Sequence, residues 1–424
     1  MKEYTSRVCD EMLKFRLECI GAVLIEGPKY CGKTTTAAHL AESVLRMQDA
    51  DLFQQNMAVA KIAPSRLLEG KTPRLIDEWQ LSPRLWDAVR SEVDKRGEPG
   101  QFILTGSAVP ANMSETLHTG TGRIARMRMR PMSLYESGES TGSVSLGALF
   151  AGSSDVEGEA FIDYEQMAFL IARGGWPATL GRSERVALQH ARDYFDAVVE
   201  LDISRVDDVE RNPAIAARLL RSYARVIGSQ AKFSSIAQDI SANDASAVSD
   251  KTVSSYLNAL RKIFVLEEST AWTPNLRSKT AIRTTETRYF TDPSIGVAAL
   301  GIGPKDLLND MSAMGLFFEN LAVRDLRIYA DALDGKVEHF LDKNGMECDA
   351  IVHLRNGSYG LVEIKLGGDV FIEAGARSLE KLASKIDTTK MKEPAFKMVL
   401  TGMGRYAYRR EDGILVVPIG CLRP

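Results

Sequence analysis

The chain has 424 residues, too many for one ordinary hydrophobic core, so two or three domains are expected. Its 45% hydrophobic and 26% charged content is that of a globular protein, and a formal net charge of −3 argues against a generally basic nucleic-acid coat protein while leaving local basic patches open. No apolar run approaches bilayer length, and the charged start lacks the apolar region of a signal peptide, so a cytoplasmic protein with no membrane partner is expected.

In chain order, Val8, Met12, Phe15 and Cys19 recur at helical spacing over residues 4–20, which predicts a leading helix with one face on the following sheet. The apolar run Ala22-Val23-Leu24-Ile25 then leads into Gly27-Pro28-Lys29-Tyr30-Cys31-Gly32-Lys33-Thr34, a complete Walker A pattern followed by Thr35 and a helical segment read over 35–46. Glycine there lets backbone N–H groups point at phosphate, Lys33 reaches the β and γ phosphates, and Thr34 offers its hydroxyl to Mg²⁺, so ATP with Mg²⁺ is the expected ligand. Cys31 is either an oxidisable thiol inside the loop or a small tolerated residue. Five cysteines with no C-x-x-C pair, and five scattered histidines, indicate neither a disulfide framework nor a structural zinc site.

The stretch Pro73-Arg74-Leu75-Ile76-Asp77-Glu78-Trp79 reads as a strand ending in adjacent acids. Asp77 would hold Mg²⁺ through its water shell, and Glu78 would polarise the water that attacks the γ-phosphate. Arg74 makes that strand less apolar than usual, a hint that its two faces are unequally covered. A third strand, Phe102-Ile103-Leu104, ends at Thr105-Gly106-Ser107, where Thr105 and Ser107 are either γ-phosphate sensors or a plain turn. In 123–130, Arg126, Arg128 and Arg130 alternate with Met127 and Met129, so a strand would set guanidinium groups on one face. That ridge is an arginine finger, a phosphate contact or a charged edge strand, and Arg123 in its glycine-flanked turn is the first finger candidate.

Residues 136–159 are crowded with Ser, Gly and Glu, a domain boundary by composition. A mostly helical region follows over 164–228, in which Arg205 either reaches a phosphate or pairs with a local acid. Over 233–272 two short helices, the second capped by Ser249 or Asp250, precede Phe264-Val265-Leu266, the order of a winged helix. Lys251, Ser254, Ser255 and Asn258 would face outward on the second helix, for DNA or as part of a lid.

The last third carries a helix over 313–330 with Glu319, then strands at 338–341, 349–352 and 361–365, a helix over 372–388 and strands at 396–400 and 414–418. Glu363 and Lys365 are two apart and point the same way, and the turn Arg355-Asn356-Gly357-Ser358 folds Asp349 back beside them. Glu319, Asp349, Glu363 and Lys365 together are what metal-dependent phosphodiester cleavage needs, with a second Mg²⁺ or Mn²⁺; Glu347 is an alternative ligand. The other reading is a fold that keeps its acids for structure.

Taken together, the GPKYCGKTTTA, RLIDEWQ, FILTGSA, GRIARMRMRPMSLYE, GLFFEN, ECDAIV and VEIK segments resemble prokaryotic ATP-binding proteins that join an AAA-type (AAA_14-like) P-loop domain to a C-terminal domain of unknown function, the 4143 family. The resemblance spans nearly the whole chain. It implies an α/β multidomain protein: an AAA-type P-loop ATPase domain over 1–140, a helical and winged-helix region over 141–275, and a PD-(D/E)XK nuclease-like α/β domain over 276–424. Its nuclease motif is matched at Asp349, Glu363 and Lys365, with Glu319 as the helical acid. The expected function is a Mg²⁺-dependent ATPase whose nucleotide state controls contact with DNA. Two alternatives stand beside it: a signalling-type ATPase switch with a protein-binding C-terminal module, and an ATP-licensed nuclease. A homo-oligomer follows if an arginine finger acts between subunits.

Overall fold

The computed structural model describes residues 4–108, 119–153, 156–207, 209–242, 248–273 and 285–424. Its amino-terminal unit is a parallel sheet of β1 (Ala22–Glu26), β2 (Ser43–Arg46), β3 (Arg74–Asp77), β4 (Phe102–Gly106) and β5 (Ile124–Arg128), in spatial order β2-β3-β4-β1-β5. Around it lie α1 (Cys9–Cys19), α2 (Lys33–Leu40), α3 (Phe53–Ile62) and α4 (Arg84–Arg96). Strand alternation divides the apolar residues between two cores. Val23, Ile25, Leu75 and Ile103 meet Leu13 and Leu17 of α1 on one face; Leu24, Ile76, Phe102 and Leu104 meet Trp79, Trp86 and Val89 on the other.

Two expectations change here. The helix read over 35–46 stops at Leu40, because Ser43–Arg46 is taken by the sheet as β2, in register with Arg74–Asp77. Arg74 does not leave β3 half-covered: it sits at the strand start with its guanidinium on the Leu67 carbonyl and the Ser43 hydroxyl, while Leu75 and Ile76 are fully buried on opposite faces.

After β6 (Val144–Ser145), α5 (Leu146–Phe150) and β7 (Gly158–Glu159) comes a helical stretch: α6 (Tyr164–Arg173), α7 (Glu184–Ala197), α8 (Pro213–Arg225), α9 (Phe233–Ser241) and α10 (Asp250–Lys262). The Ser249 hydroxyl accepts the Thr252 N–H, the cap that starts α10. Instead of a strand at 264–266, residues 266–271 make isolated bridges, Leu266 with Phe290 and Ser269 with Thr287 antiparallel, and Ala271 with His339. Phe264, at φ 61, turns the chain out of the helix and breaks a continuous ladder.

Next, α11 (Pro293–Leu300) and α12 (Pro304–Asn309) pack back on α6, α7 and α8, ahead of the long α13 (Met311–Ala332). The C-terminal elements are β8 (Gly335–Leu341), β9 (Glu347–Leu354), β10 (Tyr359–Lys365), α14 (Asp369–Ala383), β11 (Phe396–Thr401), β12 (Tyr406–Arg409), β13 (Leu415–Pro418) and β14 (Leu422–Arg423). They build a sheet of order β7-β12-β13-β11-β10-β9-β8, with β10, β11 and β13 parallel. The composition boundary at 136–159 is therefore stitched to the C-terminal segment, Glu159 opposite Tyr406 in this sheet and Val144 opposite Leu422 in a separate two-stranded pair of β6 and β14. One apolar core runs from Leu134 through α6–α13 to Leu422, so the middle and C-terminal segments share an interior that the five-stranded unit does not. Among the described residues no helix is long and apolar enough to cross a membrane.

Candidate functional site

The phosphate loop joins β1 to α2 at the carboxyl ends of the parallel strands, where backbone N–H groups and side chains of neighbouring strand ends converge. Gly32 at φ 106 and Tyr30 at φ 63 give the loop its turn. Lys33 is buried, and its Nζ donates to the Gly27 and Pro28 carbonyls at 2.9 and 2.7 Å. Asp77, at the end of β3, accepts on one oxygen from both Thr34 Oγ1 (2.7 Å) and Thr105 Oγ1 (2.6 Å). Glu78 follows in a left-handed turn at φ 56, and its Oε2 accepts from Gln80 and from Ser107 Oγ at 3.2 Å. The sheet thus brings Lys33, Thr34, Asp77, Glu78, Thr105 and Ser107 to one place, Thr105 beside the first acid and Ser107 beside the second.

Lys33, Thr34, Glu78 and Ser107 open onto a cleft of about 1700 Å³, large enough for a nucleotide, with Asp77 and Thr105 buried behind them. Its opposite wall comes from the helical segment: Arg182, Asp202 and Arg205 line it. Among the described residues neither Arg182 nor Arg205 makes a side-chain ion pair or hydrogen bond, so Arg205 does not have the local acid partner weighed for it from the sequence. Arg182 carried no sequence signal at all; only the packing of α7 against the loop places it. Lys29 spans the cleft to Asp202 at 2.6 Å, and Tyr30 stands edge-on to His190 of α7 at 6.0 Å. Thr35 lines the same cleft. Cys31 is fully buried with its thiol on the Met129 carbonyl at 3.6 Å, which favours the small-residue reading over an accessible oxidation site.

Thr34 Oγ1, in the first turn of α2, and Asp77 Oδ1, at the end of β3, are hard oxygen donors 2.7 Å apart, a pair that fits Mg²⁺ completed by phosphate and water. Of the three readings of the arginine ridge, the structure supports the charged edge strand, since β5 lies at the edge of its sheet with Arg126 exposed. Arg126 pairs with Glu26 at 3.2 Å and lies over the Trp86 ring; Arg128 lies over Phe264 at 4.3 Å and near Glu26; Arg130 is buried between Glu267 and Asp331. Each guanidinium thus has a partner within the chain. Arg123 pairs with Asp94 at 2.7 Å beside Ala22, at the amino end of the strands and a full strand length from the loop. It is not part of its own chain's cleft.

The second constellation assembles as the spacing expected. Lys365 Nζ bridges Asp349 Oδ2 (2.9 Å) and Glu363 Oε2 (2.7 Å), and Asp349 also accepts the Ile364 N–H. Glu319, from α13, joins them with Tyr289, whose hydroxyl donates to Glu319 Oε1 at 2.5 Å. Burial and the Asp349 charge push Glu319 up to about 8, and the same two causes push Glu363 up to about 7. Burial works against the Lys365 ammonium, yet Asp349 and Glu363 outweigh it and hold its pKa above the ordinary value. Tyr289 went unnoticed in the sequence because its partner lies 30 residues further on, in α13. Among the described residues no group of three or more His, Cys, Asp or Glu is arranged to hold a metal ion. As arranged, the ammonium fills the space between the two carboxylates, which does not fit the expected second Mg²⁺ or Mn²⁺.

Residues 21–138 match the AAA domain family, and residues 164–306 match a domain of unknown function (DUF8612). The second match reaches across the 275/276 division to α11 and the first half of α12, in keeping with their packing on α6–α8. Two curated relatives, the uncharacterized proteins Rv2008c of Mycobacterium tuberculosis and Mb2031c of Mycobacterium bovis, are each 24% identical over 358 residues, 84% of this chain and 73% of theirs. Among solved structures, the Walker-type ATPase PABY2304 of Pyrococcus abyssi aligns at 14% identity and TM-score 0.41, over 68% of this chain and 94% of that one. The ORC2 protein of Aeropyrum pernix, solved as ADPNP-ADP complexes, aligns at 13% identity and TM-score 0.35, over 74% and 98%. Family match and loop geometry agree that residues 21–138 form an AAA-type P-loop ATPase-like domain.

Proposed function

We propose that this chain is a Mg²⁺-dependent ATPase whose nucleotide state controls contact with DNA made through its middle and C-terminal segments. The observation that carries the ATPase reading is the meeting of Lys33, Thr34, Asp77, Glu78 and Ser107 at one end of a parallel sheet. Lys33 turns from the Gly27 and Pro28 carbonyls to the β and γ phosphates. Thr34 and Asp77 would hold Mg²⁺, which would supply neutralisation of the phosphate charge. Glu78, steadied by Gln80 and Ser107, orients the attacking water and accepts its proton. Arg182 and Arg205 bring positive charge to the terminal phosphate from the far wall. Arg123, remote from its own cleft, acts only on a neighbouring copy, and turnover per subunit that is independent of protein concentration would remove it from the mechanism.

For DNA, the support is the exposed face of α10, where Lys251, Ser255 and Asn258 reach solvent above a buried Val253, Tyr256 and Leu257. Cleavage is supported least, because Lys365 takes one oxygen of each of the two carboxylates that a metal would need, leaving Glu363 Oε1 buried without a partner among the described residues. That occupation by the ammonium favours the second reading, a signalling-type switch whose C-terminal module binds a protein. The experiment is ATP turnover with duplex, forked and single-stranded DNA, with Glu78→Gln as control. Turnover abolished in the control and raised by one DNA form, less so as salt increases, is the expected result. A flat response to all three, with turnover still lost in the control, refutes the DNA role and leaves the switch.

A further inference from the structure

The phosphate loop is tied by short contacts to one segment, residues 128–130. The Met129 N–H donates to the Glu26 carbonyl at 2.8 Å, and a Cβ at Gly27 would lie 2.0 Å from the Met129 carbonyl oxygen. Arg7 clasps both sides, with Nη1 on the Cys31 carbonyl (2.8 Å) and Nη2 on the Arg130 carbonyl (2.9 Å). A loop that releases Lys33 from Gly27 and Pro28 therefore presses directly on this segment.

From there the Arg130 side chain leaves the five-stranded unit. Its guanidinium forks onto Glu267 at 2.9 and 2.7 Å and reaches Asp331 of α13 at 2.5 Å. The Glu267 N–H donates to the Tyr289 carbonyl at 3.1 Å, across the bridged pair, and Arg327 of α13 donates to the Glu267 carbonyl and lies 5.7 Å over the Tyr289 ring. Tyr289 ends the chain of contacts with its hydroxyl on Glu319. Gly228, at φ 71, closes the same side, since a Cβ there would lie 3.2 Å from Glu319 Oε1. Middle-segment residues thus form one wall of the acid cluster.

We propose that Arg130 and Glu267 couple the nucleotide cleft to the acid cluster, and that Tyr289 is the positioning residue at the far end, holding Glu319 until nucleotide binds. The coupling rests on the nucleotide reading above and names how the C-terminal module is controlled. It has a physical two-state element. The apolar cores of the five-stranded unit close mainly on themselves, whereas the middle and C-terminal segments share one against which Val8 and Ala108 pack, so the first unit can tilt against the rest at the expense of polar contacts and this small apolar seam. Tilting drags Arg130, shifts Glu267 and draws the Tyr289 hydroxyl from Glu319. The carboxyl is then free to turn toward Asp349 and Glu363.

Coupling is reciprocal, so it is read at the nucleotide end without assuming what the cluster does. Calorimetric titration of the full chain with adenylyl-imidodiphosphate and Mg²⁺ compares wild type, Tyr289→Phe, Glu267→Gln and the double variant. Holding Glu319 opposes the tilt that binding requires, so Tyr289→Phe and Glu267→Gln are each expected to tighten binding about fivefold or more. The double variant should gain no more than the stronger single one, because both cut the same connection. A purely local structural role predicts additive changes, or none. Tyr289→Phe removes one oxygen and keeps the ring under Arg327, so it carries the test alone if Glu267→Gln fails to fold. Wild-type binding with Tyr289→Phe within twofold overturns the coupling and leaves the ATPase reading standing. No binding by wild type overturns both.

Discussion

Replacing Arg7 by Met removes three hydrogen bonds and strands a buried carboxylate. The guanidinium gives Nε to Glu136 Oε1 at 2.9 Å and its two terminal nitrogens to the Cys31 and Arg130 carbonyls, and both charged residues are less than a tenth exposed. Glu136 also accepts from the Val8 and Ser133 N–H groups, which hold it in place when its partner is gone. Breaking one side of such a pair costs about 3–5 kcal/mol, far above the cost at an exposed pair. With a urea m value of ~2 kcal/mol/M, the midpoint of the first unfolding transition should fall by about 1.5–2.5 M.

The pH dependence gives the sign. Burial works against the Glu136 charge, but Arg7 and the hydrogen bonds outweigh it and hold the carboxyl below its ordinary value. Its contribution in wild type is therefore full above the unfolded value of about 4.3 and lost as pH falls through the lower folded value. In Arg7→Met only the burial penalty and weaker hydrogen bonds remain, so the folded pKa rises above the unfolded one. The variant should then lose stability as pH rises from about 4.3 toward neutral, and the gap to wild type should widen over that range. Adding Glu136→Gln to Arg7→Met should recover much of the loss. A gap under about 1 kcal/mol at pH 7, or one independent of pH, would refute the argument that an uncompensated buried charge sets the cost.

Three other outcomes are expected. Gly228→Ala forces a Cβ into a left-handed turn and against Glu319, so it should lower stability by about 1–2 kcal/mol in urea unfolding. An unchanged midpoint would show that the turn relaxes freely. Combined Arg182→Ala and Arg205→Ala should weaken triphosphate binding about a hundredfold or more and diphosphate binding much less, since charge-assisted bonds to the terminal phosphate are worth about 1.5–3 kcal/mol each. Equal loss for both nucleotides would place these arginines away from that phosphate. Thr34→Val, which keeps shape and removes the hydroxyl, should abolish Mg²⁺-supported turnover while nucleotide binding without the ion persists; unchanged turnover at the same Mg²⁺ concentration would take Thr34 out of the ion's surroundings.

Much of the local chemistry was legible because it is written in spacing. The glycines around Lys33, the two acids ending the Leu75-Ile76 strand, and Glu363 and Lys365 on one face of a hairpin depend on residues a few positions apart, whose relative direction the backbone dictates. The Asp349 partnership followed from the turn at 355–358, with Gly357 at φ 82. Helix and strand limits were less legible where propensity and sheet membership disagreed: Ser43–Arg46 has no breaker before it and becomes a strand only because Arg74–Asp77 lies alongside. The composition boundary at 136–159 agrees with the end of the AAA-family match at residue 138, but its short strands were not legible, since they exist only against Tyr406 and Leu422.

By itself, then, the sequence determined that a phosphate-binding loop with its acids would form and that an acid-lysine cluster would gather on a second sheet. It did not determine what the charges between them would do. Arg126, Arg128 and Arg130 alternate as a free cationic ridge would, yet the fold gives each a distant partner, Glu26, Phe264, Glu267 or Asp331. Arg7 with Glu136 and Tyr289 with Glu319 are equally silent in the chain. A side chain's charge and reach are local properties, but its partner is chosen by which surfaces the cores bring together, and only the tertiary structure makes that choice.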